Sequence, residues 1–291
     1  MAGSRVCPHC GRLNGIAETR CNRCGRGFPG PLVAFTRDWL GVDFVATRVL
    51  VLACTGIFAL LALDHGGMPW GIRIGPLGGA GFLPSEVLRW GALAGDLGSA
   101  EPFRRLAAIF VHFGVIHLGL NLLSLVDFGS RSEGRLGTAR YLVVFAVTGF
   151  VGFWISDLWY LLSQGGSPLT GGASGSLFGL MGAEIGWLRA RRDPAFKDTL
   201  VRFFVYALLF ALMVPVNNAA HLGGFVMGWL LGWLLEKTRP SRQARLLFLT
   251  SAVLAAVGLS GAVLLSLSSP VWQEQRRFEL KQQGRGELEF S

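Results

Sequence analysis

Gly171-Gly172-Ala173-Ser174-Gly175-Ser176-Leu177-Phe178-Gly179-Leu180-Met181-Gly182 is a Gly-rich polar turn that runs straight into an apolar helix. Ser174 sits at the seam. A helix beginning there places its hydroxyl beside free backbone N–H groups and the positive end of the helix dipole, where developing negative charge is stabilised. Such a position suits a nucleophile. Gly171, Gly175, Gly179 and Ala183 recur every four residues, so one face of the helix is nearly flat and admits a second helix closely. In Asn217-Asn218-Ala219-Ala220-His221-Leu222-Gly223-Gly224 the same spacing returns as Ala220, Gly224, Gly228 and Gly232, with His221 one step off the seam. The two flat faces predict that a Ser and a His meet inside an apolar chain.

The 291-residue chain is 51% hydrophobic and 15% charged with a positive mean hydropathy, a composition that excludes an ordinary soluble domain and indicates a polytopic membrane protein. Uncharged runs over 49–63, 106–126, 141–156, 203–235 and 246–273 supply the spans. The longer ones exceed the ~20 residues that cross a hydrocarbon core as a helix. Crossings are expected at about Val45 to Leu63, Leu106 to Val126, Tyr141 to Leu162, and from Ser174 to the basic run Arg189-Ala190-Arg191-Arg192. The run 203–235 is too long for one crossing, and Pro215-Val216-Asn217-Asn218 divides it into a fifth and a sixth. A seventh covers about Leu246 to Leu267, followed by a mixed-charge tail. Between the first two crossings, the Gly- and Pro-rich stretch from Asp64 to Arg105 reads as a structured loop partly in the interface.

The net charge of +9 would suggest nucleic acid in a soluble protein. Here Lys and Arg gather in the 2–3, 4–5 and 6–7 loops and are missing from the 3–4 and 5–6 loops, the alternation of a seven-crossing topology, with the 1–2 loop, which carries charges of both signs, as its one irregular member. It puts the N-terminus in the cytoplasm and the C-terminal tail outside. No short cleavable signal sequence is read ahead of the Cys cluster, so the N-terminus is expected to stay in the cytoplasm.

Residues 1–30 carry Cys7-Pro8-His9-Cys10-Gly11 and Cys21-Asn22-Arg23-Cys24-Gly25, which resemble the paired knuckles of a zinc ribbon. Each CxxC turn aims two thiolates inward, with Gly following so that backbone N–H groups turn toward the sulfurs. Cys7, Cys10, Cys21 and Cys24 are therefore the expected ligands of one structural Zn²⁺, without which so small a segment has no core. A redox CxxC pair is the competing reading. Basic residues dominate the first 37 positions, so the ribbon's partner is left open among protein, anionic lipid and nucleic acid. Residues 31–44 read as a linker, 45–236 as a six-helix core, and 237–291 as the seventh helix and tail.

On this topology Ser174 and His221 share one depth, and His117, in the outer half of the second crossing, and Asn121 one turn on are expected to reach the same cavity. A Ser beside a His is deprotonated as it attacks a carbonyl, and donors opposite stabilise the oxyanion, so the chemistry is acyl transfer to water. No acid offers itself as orienter of His221: Asp157 is on the third crossing, and Glu184 lies ten residues, ~15 Å, from Ser174. A dyad is expected, with Phe178 one turn on available to stack against the imidazole.

These residues resemble the rhomboid family of intramembrane serine proteases over about residues 45–236. Gly172-Ala173-Ser174-Gly175 resembles the family's GxSG motif and Asn218-Ala219-Ala220-His221-Leu222-Gly223-Gly224 its sixth-helix histidine motif. His112-Phe113-Gly114-Val115-Ile116-His117-Leu118-Gly119-Leu120-Asn121 resembles its HxxxxHxxxN helix. The resemblance implies Ser174 as nucleophile, His221 as general base, and His117 and Asn121 with the Ser174 N–H as the oxyanion hole. It further implies His112 as a structural brace of the outer loop and Glu133 as the acid that ties down the 2–3 loop. Where the family usually has Trp-Arg in the 1–2 loop, this chain has Phe103-Arg104. Implied partners are transmembrane protein substrates and the lipid bilayer, the implied site a bacterial inner (plasma) membrane, and catalysis needs no cofactor. The alternative is a non-catalytic rhomboid-like protein that binds membrane clients. A transporter would call for internal repeats, which the two halves lack.

Overall fold

The computed structural model describes residues 4–6, 12–15, 18, 20–23, 44–65, 82–163, 168–213, 217–237 and 242–289. The chain divides into two units, Met1–Phe44 and Val45–Ser291.

In the first unit, strands β1 (Ser4–Val6) and β2 (Leu13–Gly15) pair antiparallel with Arg5 opposite Asn14. Buried Asn14 ties β2 to the turn at Asn22-Arg23: its Oδ1 accepts from the Asn22 N–H at 2.9 Å, and its Nδ2 donates to the Arg12 carbonyl at 2.7 Å. Of the four expected ligands only Cys21 falls among the described residues. Cys7, Cys10 and Cys24 lie outside them, as does the linker 31–43.

The second unit is all-α: α1 (Val45–Asp64), α2 (Pro84–Arg89), α3 (Leu97–Ala100), α4 (Arg104–Ala107), α5 (Val115–Ser124), α6 (Ser130–Leu136), α7 (Thr138–Leu162), α8 (Ser174–Arg191), α9 (Phe196–Met213), α10 (Asn218–Lys237), α11 (Arg242–Ser268) and α12 (Val271–Glu289). Among the described residues, Val45–Asp64, Thr138–Leu162 and Leu246–Ser268 are each long and apolar enough to cross a membrane. A bent pair, Arg104–Phe110 with Val115–Leu136, is long and apolar enough only when its two halves are taken together, as a broken span or a re-entrant loop. Large apolar side chains such as Leu52, Leu161, Trp233 and Leu254 cover the outer surface, as hydrocarbon requires of a multi-pass integral membrane protein. α8 is charged at one end and glycine-rich, yet it lies at the centre with nearly every residue from Ser174 to Leu188 buried. Its neighbours shield it from lipid, so its polar groups meet protein.

α8 and α10 make the most extensive helix contact of the fold. A methyl group added at Gly224, Gly228 or Gly232 of α10 would strike the carbonyl of Gly175, Gly179 or Ala183 of α8, and one at Gly182 or Gly186 would strike those of Phe225 and Trp229. The expected α10 face is thus used rung by rung against the carbonyls of Gly175, Gly179 and Ala183, whereas on α8 the glycines that open onto α10 are Gly182 and Gly186, and a methyl group at Gly179 would meet Thr148 of α7. α7 closes the other side, with Gly152 against the Ala220 carbonyl.

Three expectations are corrected. The second crossing does not run as one helix from Leu106: α4 and a 3-10 turn, Ala108–Phe110, are followed by extended backbone at Val111 and Gly114, and the halves meet at 96°. His112 therefore precedes α5, off the helix that carries His117 and Asn121. The basic 2–3 loop is largely helical, because a π-turn, Leu125–Gly129, carries the chain on into α6. Its charges are matched in place, Arg131 by Asp127 and Arg135 by Glu184 of α8. The tail, finally, is the helix α12, packed on α2 of the 1–2 segment.

Glu133 ties this end together. Its buried carboxylate accepts from the Ala46 and Thr47 N–H groups at 3.0 and 2.8 Å, and from the Thr47 and Thr138 hydroxyls at 2.8 Å each. One carboxylate thereby satisfies first-turn donors of α1 and anchors the start of α7.

Candidate active site

The chain reaches α8 through a backbone held from outside. Thr170 exchanges backbone hydrogen bonds with Leu93 at 2.8 and 2.9 Å, and the Gly172 N–H donates to the Ala108 carbonyl at 2.8 Å. Gly172 has φ of +122°, a conformation that side-chain-bearing residues rarely adopt. Ser174 then opens α8, whose own ladder begins with the Leu177 N–H on the Ala173 carbonyl at 2.9 Å. The N–H groups of Ser174, Gly175 and Ser176 precede that ladder and point out of the helix end.

α10 presents His221 opposite. Asn217, placed just before the helix, accepts from the Ala220 N–H at 3.1 Å as an N-cap and donates to the Ser156 hydroxyl at 2.7 Å and the Thr170 hydroxyl at 3.3 Å. It thereby joins α7, the turn before Ser174 and the start of α10. His221 Nε2 lies 2.7 Å from Ser174 Oγ, and both residues are buried. The Phe178 ring stacks on the His221 imidazole with centroids 4.2 Å apart and planes 8° off parallel, which fixes the ring's tilt. The contact was expected from the one-turn spacing of Ser174 and Phe178.

On the third side stands α5. A methyl group on Gly172 would lie 2.7 Å from His117 Nε2 and 3.9 Å from Ser174 Oγ, so glycine keeps clear a space that both groups border. His117 Nδ1 faces the Phe113 N–H at 3.5 Å, which makes it the acceptor and leaves the proton on Nε2, toward that space. Asn121 is buried and near, but one amide N–H is given to the His117 carbonyl at 2.8 Å, and its Oδ1 is buried without a hydrogen-bond partner. His112, fully buried, donates through Nδ1 to the Phe110 carbonyl at 3.0 Å and packs 5.2 Å from the His117 ring.

The two carboxylates weighed from sequence are occupied. Asp157 bonds Arg105 at 2.8 Å, and Glu184 pairs with Arg135. Sequence reasoning missed Asn217, although an Asn just ahead of a helix and after Pro is a cap signature. It also gave no role to Arg104. That side chain is completely buried, pairs with Glu101, and donates to the Leu88 and Ala92 carbonyls at 2.6 and 3.3 Å, folding the 1–2 segment around itself.

This arrangement holds a hydroxyl against a base, with a neutral imidazole N–H and helix-end N–H groups around one small space. Residues 99–238 match the family model of the rhomboid domain. RHOMBOID-like protein 2 of Arabidopsis thaliana is 32% identical over 187 residues, covering 57% of this chain and 57% of that protein. Rhomboid protease GlpG of Salmonella typhi is 29% identical over 207 residues, covering 68% and 64%. Rhomboid protease GluP of Bacillus subtilis is 28% identical over 200 residues, covering 66% and 38%. The chain thus spans roughly two fifths to two thirds of the length of these three relatives. Ser174, His221, His117 and Asn121 all fall inside the matching stretch, and the family that these comparisons support for the chain is the rhomboid family.

Proposed function

We propose that the chain is an intramembrane serine endopeptidase that hydrolyses peptide bonds in or near transmembrane helices of membrane-protein substrates. The observation that carries the reading is the 2.7 Å approach of His221 Nε2 to Ser174 Oγ among apolar helices. Ser174 Oγ attacks the substrate carbonyl carbon while its proton passes to His221 Nε2. The carbonyl oxygen, now negative, sits in the space beside Gly172, where His117 Nε2–H, the Asn121 amide and the Ser174 N–H donate to it. Collapse breaks the C–N bond, His221 returns the proton to the leaving amine, and an acyl-Ser174 ester remains. Water, losing a proton to His221, then releases the acid and restores the hydroxyl. With Asp157 and Glu184 each held by an arginine, two residues form the catalytic unit. A substrate helix hides its carbonyls in its own hydrogen bonds, so Gly, Pro or polar residues at the cut site favour cleavage.

Ser174→Ala and His221→Ala should each bring cleavage of a model transmembrane substrate to background, and the double variant should be no worse, because nucleophile and base act as one unit. A fluorophosphonate probe should label Ser174 only when His221 is present. Cleavage that persists in folded Ser174→Ala protein would remove the serine mechanism, and a folded wild-type protein that takes no label would favour a client-binding role. Comparing membrane proteomes with and without Ser174→Ala would then name the clients.

The N-terminal segment is proposed to hold one structural Zn²⁺ through Cys7, Cys10, Cys21 and Cys24, apart from catalysis. Buried Cys21 supports this: its Sγ receives the Arg23 N–H at 3.4 Å and Asn14 Nδ2 at 3.6 Å, the kind of donors that a metal-bound thiolate needs. Purified protein should carry about one Zn²⁺ per chain. Cys21→Ser should lose it and expose residues 1–30 to proteolysis with the membrane unit still folded, whereas full zinc retention would rule the four-thiolate site out.

A further inference from the structure

The stretch Thr170–Gly172 that leads into Ser174 takes its backbone hydrogen bonds from Leu93 and Ala108, both in the segment 82–110. That segment is built from helices of six, four and four residues. Isolated helices below ~12–15 residues are marginal, so its geometry comes from what it is docked against. Two contacts reach it from the end of the chain. Glu279 of α12 accepts from the Ser85 N–H at 3.0 Å and the Ser85 hydroxyl at 2.5 Å. Ser269, between α11 and α12, donates to Glu101 at 2.8 Å, and Glu101 in turn pairs with the buried Arg104 that holds the Leu88 and Ala92 carbonyls. Between these points the Arg89 guanidinium lies 5.0 Å over the Trp272 ring and bonds Asp64 of α1 at 2.7 Å. Gly91, with φ of +108°, allows the segment to pass between Ala107 and Ser266 of α11.

We propose that Glu279 and Ser269 are positioning residues for the candidate active site: the C-terminal helices clamp the 82–110 segment, which fixes Thr170–Gly172 and through it Ser174 and the adjoining oxyanion space. The clamp rests on the protease reading for its catalytic consequence and on the contacts alone for its structural one. Unclamped, the segment's short helices fray, the Leu93–Thr170 and Ala108–Gly172 bonds open more often, and Ser174 spends less time facing His117 and His221. A displacement near 1 Å in such a constellation costs up to about 10²-fold in rate.

The test uses the full-length protein in a bilayer or detergent. Glu279→Ala combined with Ser269→Ala should speed amide hydrogen exchange at Leu93, Thr170 and Gly172 by about tenfold, the effect of one net hydrogen bond, while amides of α8 and α10 keep their protection. Turnover of a model substrate should fall by a similar factor in kcat with KM unchanged, a split that general loss of folded protein does not produce. Ser85→Ala added to Glu279→Ala should cost nothing further, because the two side chains share one interaction. Glu279→Gln with Ser269 intact, which still offers an acceptor to the Ser85 N–H and a donor to its hydroxyl, should leave both readouts at the wild-type level. Unchanged exchange at Leu93, Thr170 and Gly172 in the folded double variant overturns the clamp. A wild-type protein that neither cleaves nor takes the fluorophosphonate overturns the protease reading instead, and the exchange measurement still decides the clamp.

Discussion

Ser174 and His221 meet because each sits at the start of its own helix, Ser174 at the first residue of α8 and His221 one turn into α10 behind the Asn217 cap. The Phe178 stack then removes the imidazole's freedom to tilt, and Gly172 leaves the space next to the hydroxyl clear. Asn121 is the residue whose proposed role its geometry tests most sharply, since one of its two amide hydrogens is committed to the His117 carbonyl. The second is left for an oxyanion. Asn121→Ala should therefore lower turnover by ~10²–10³, less than loss of the nucleophile, because His117 and the helix-end N–H groups go on donating. Turnover unchanged in that variant would confine the amide to bracing its own helix.

At the scale of elements, the α8–α10 seam decides whether the dyad geometry exists at all. Gly224, Gly228 and Gly232 of α10 each face an α8 carbonyl with no room for a methyl group, so the backbones approach as only glycine allows. Gly228→Ala would push directly on the Gly179 carbonyl, and since backbone yields less readily than a flexible side chain, a cost of at least ~1–3 kcal/mol is expected. Lower thermal stability and weaker labelling of Ser174 should appear together. Gly261→Ala on α11, where a methyl group meets nothing within 4 Å, is the matched control and should behave as wild type. Equal melting temperatures for the two variants would mean that the seam is softer than its contacts imply. The bend before α5 belongs to the same scale: the segment must fold back at 96° to deliver the Ala108 carbonyl to Gly172 while α5 delivers His117.

For the whole molecule, α12 and the 82–110 segment touch, so they occupy one side of the membrane. The Lys and Arg distribution proposes that side as external, with seven crossings and a cytoplasmic N-terminus. A reporter fused after Ser291 should read as external and one at Met1 as cytoplasmic. An external N-terminus or a cytoplasmic C-terminus would break the seven-crossing scheme, and a cytoplasmic C-terminus would also move the 82–110 segment inside.

By itself, the sequence determined the class of the chain, the Ser174 and His221 helices and the α10 face that meets α8, because four-residue spacing of small residues in an apolar helix permits close approach; that Gly182 and Gly186 open onto α10 while Gly179 opens onto α7 was decided by the tertiary structure. Phe178 followed from the same helical period. Only the tertiary structure decided what depends on distant partners: the break at Val111–Gly114, where an apolar run looks continuous but the chain turns, and the helical 2–3 connection, where Arg131 and Arg135 find acids on the π-turn and on α8. The same holds for Arg104 and for α12. Composition marks them as loop and tail, and their order comes from a buried guanidinium bound to backbone carbonyls and from a glutamate that meets a serine 194 residues away in sequence.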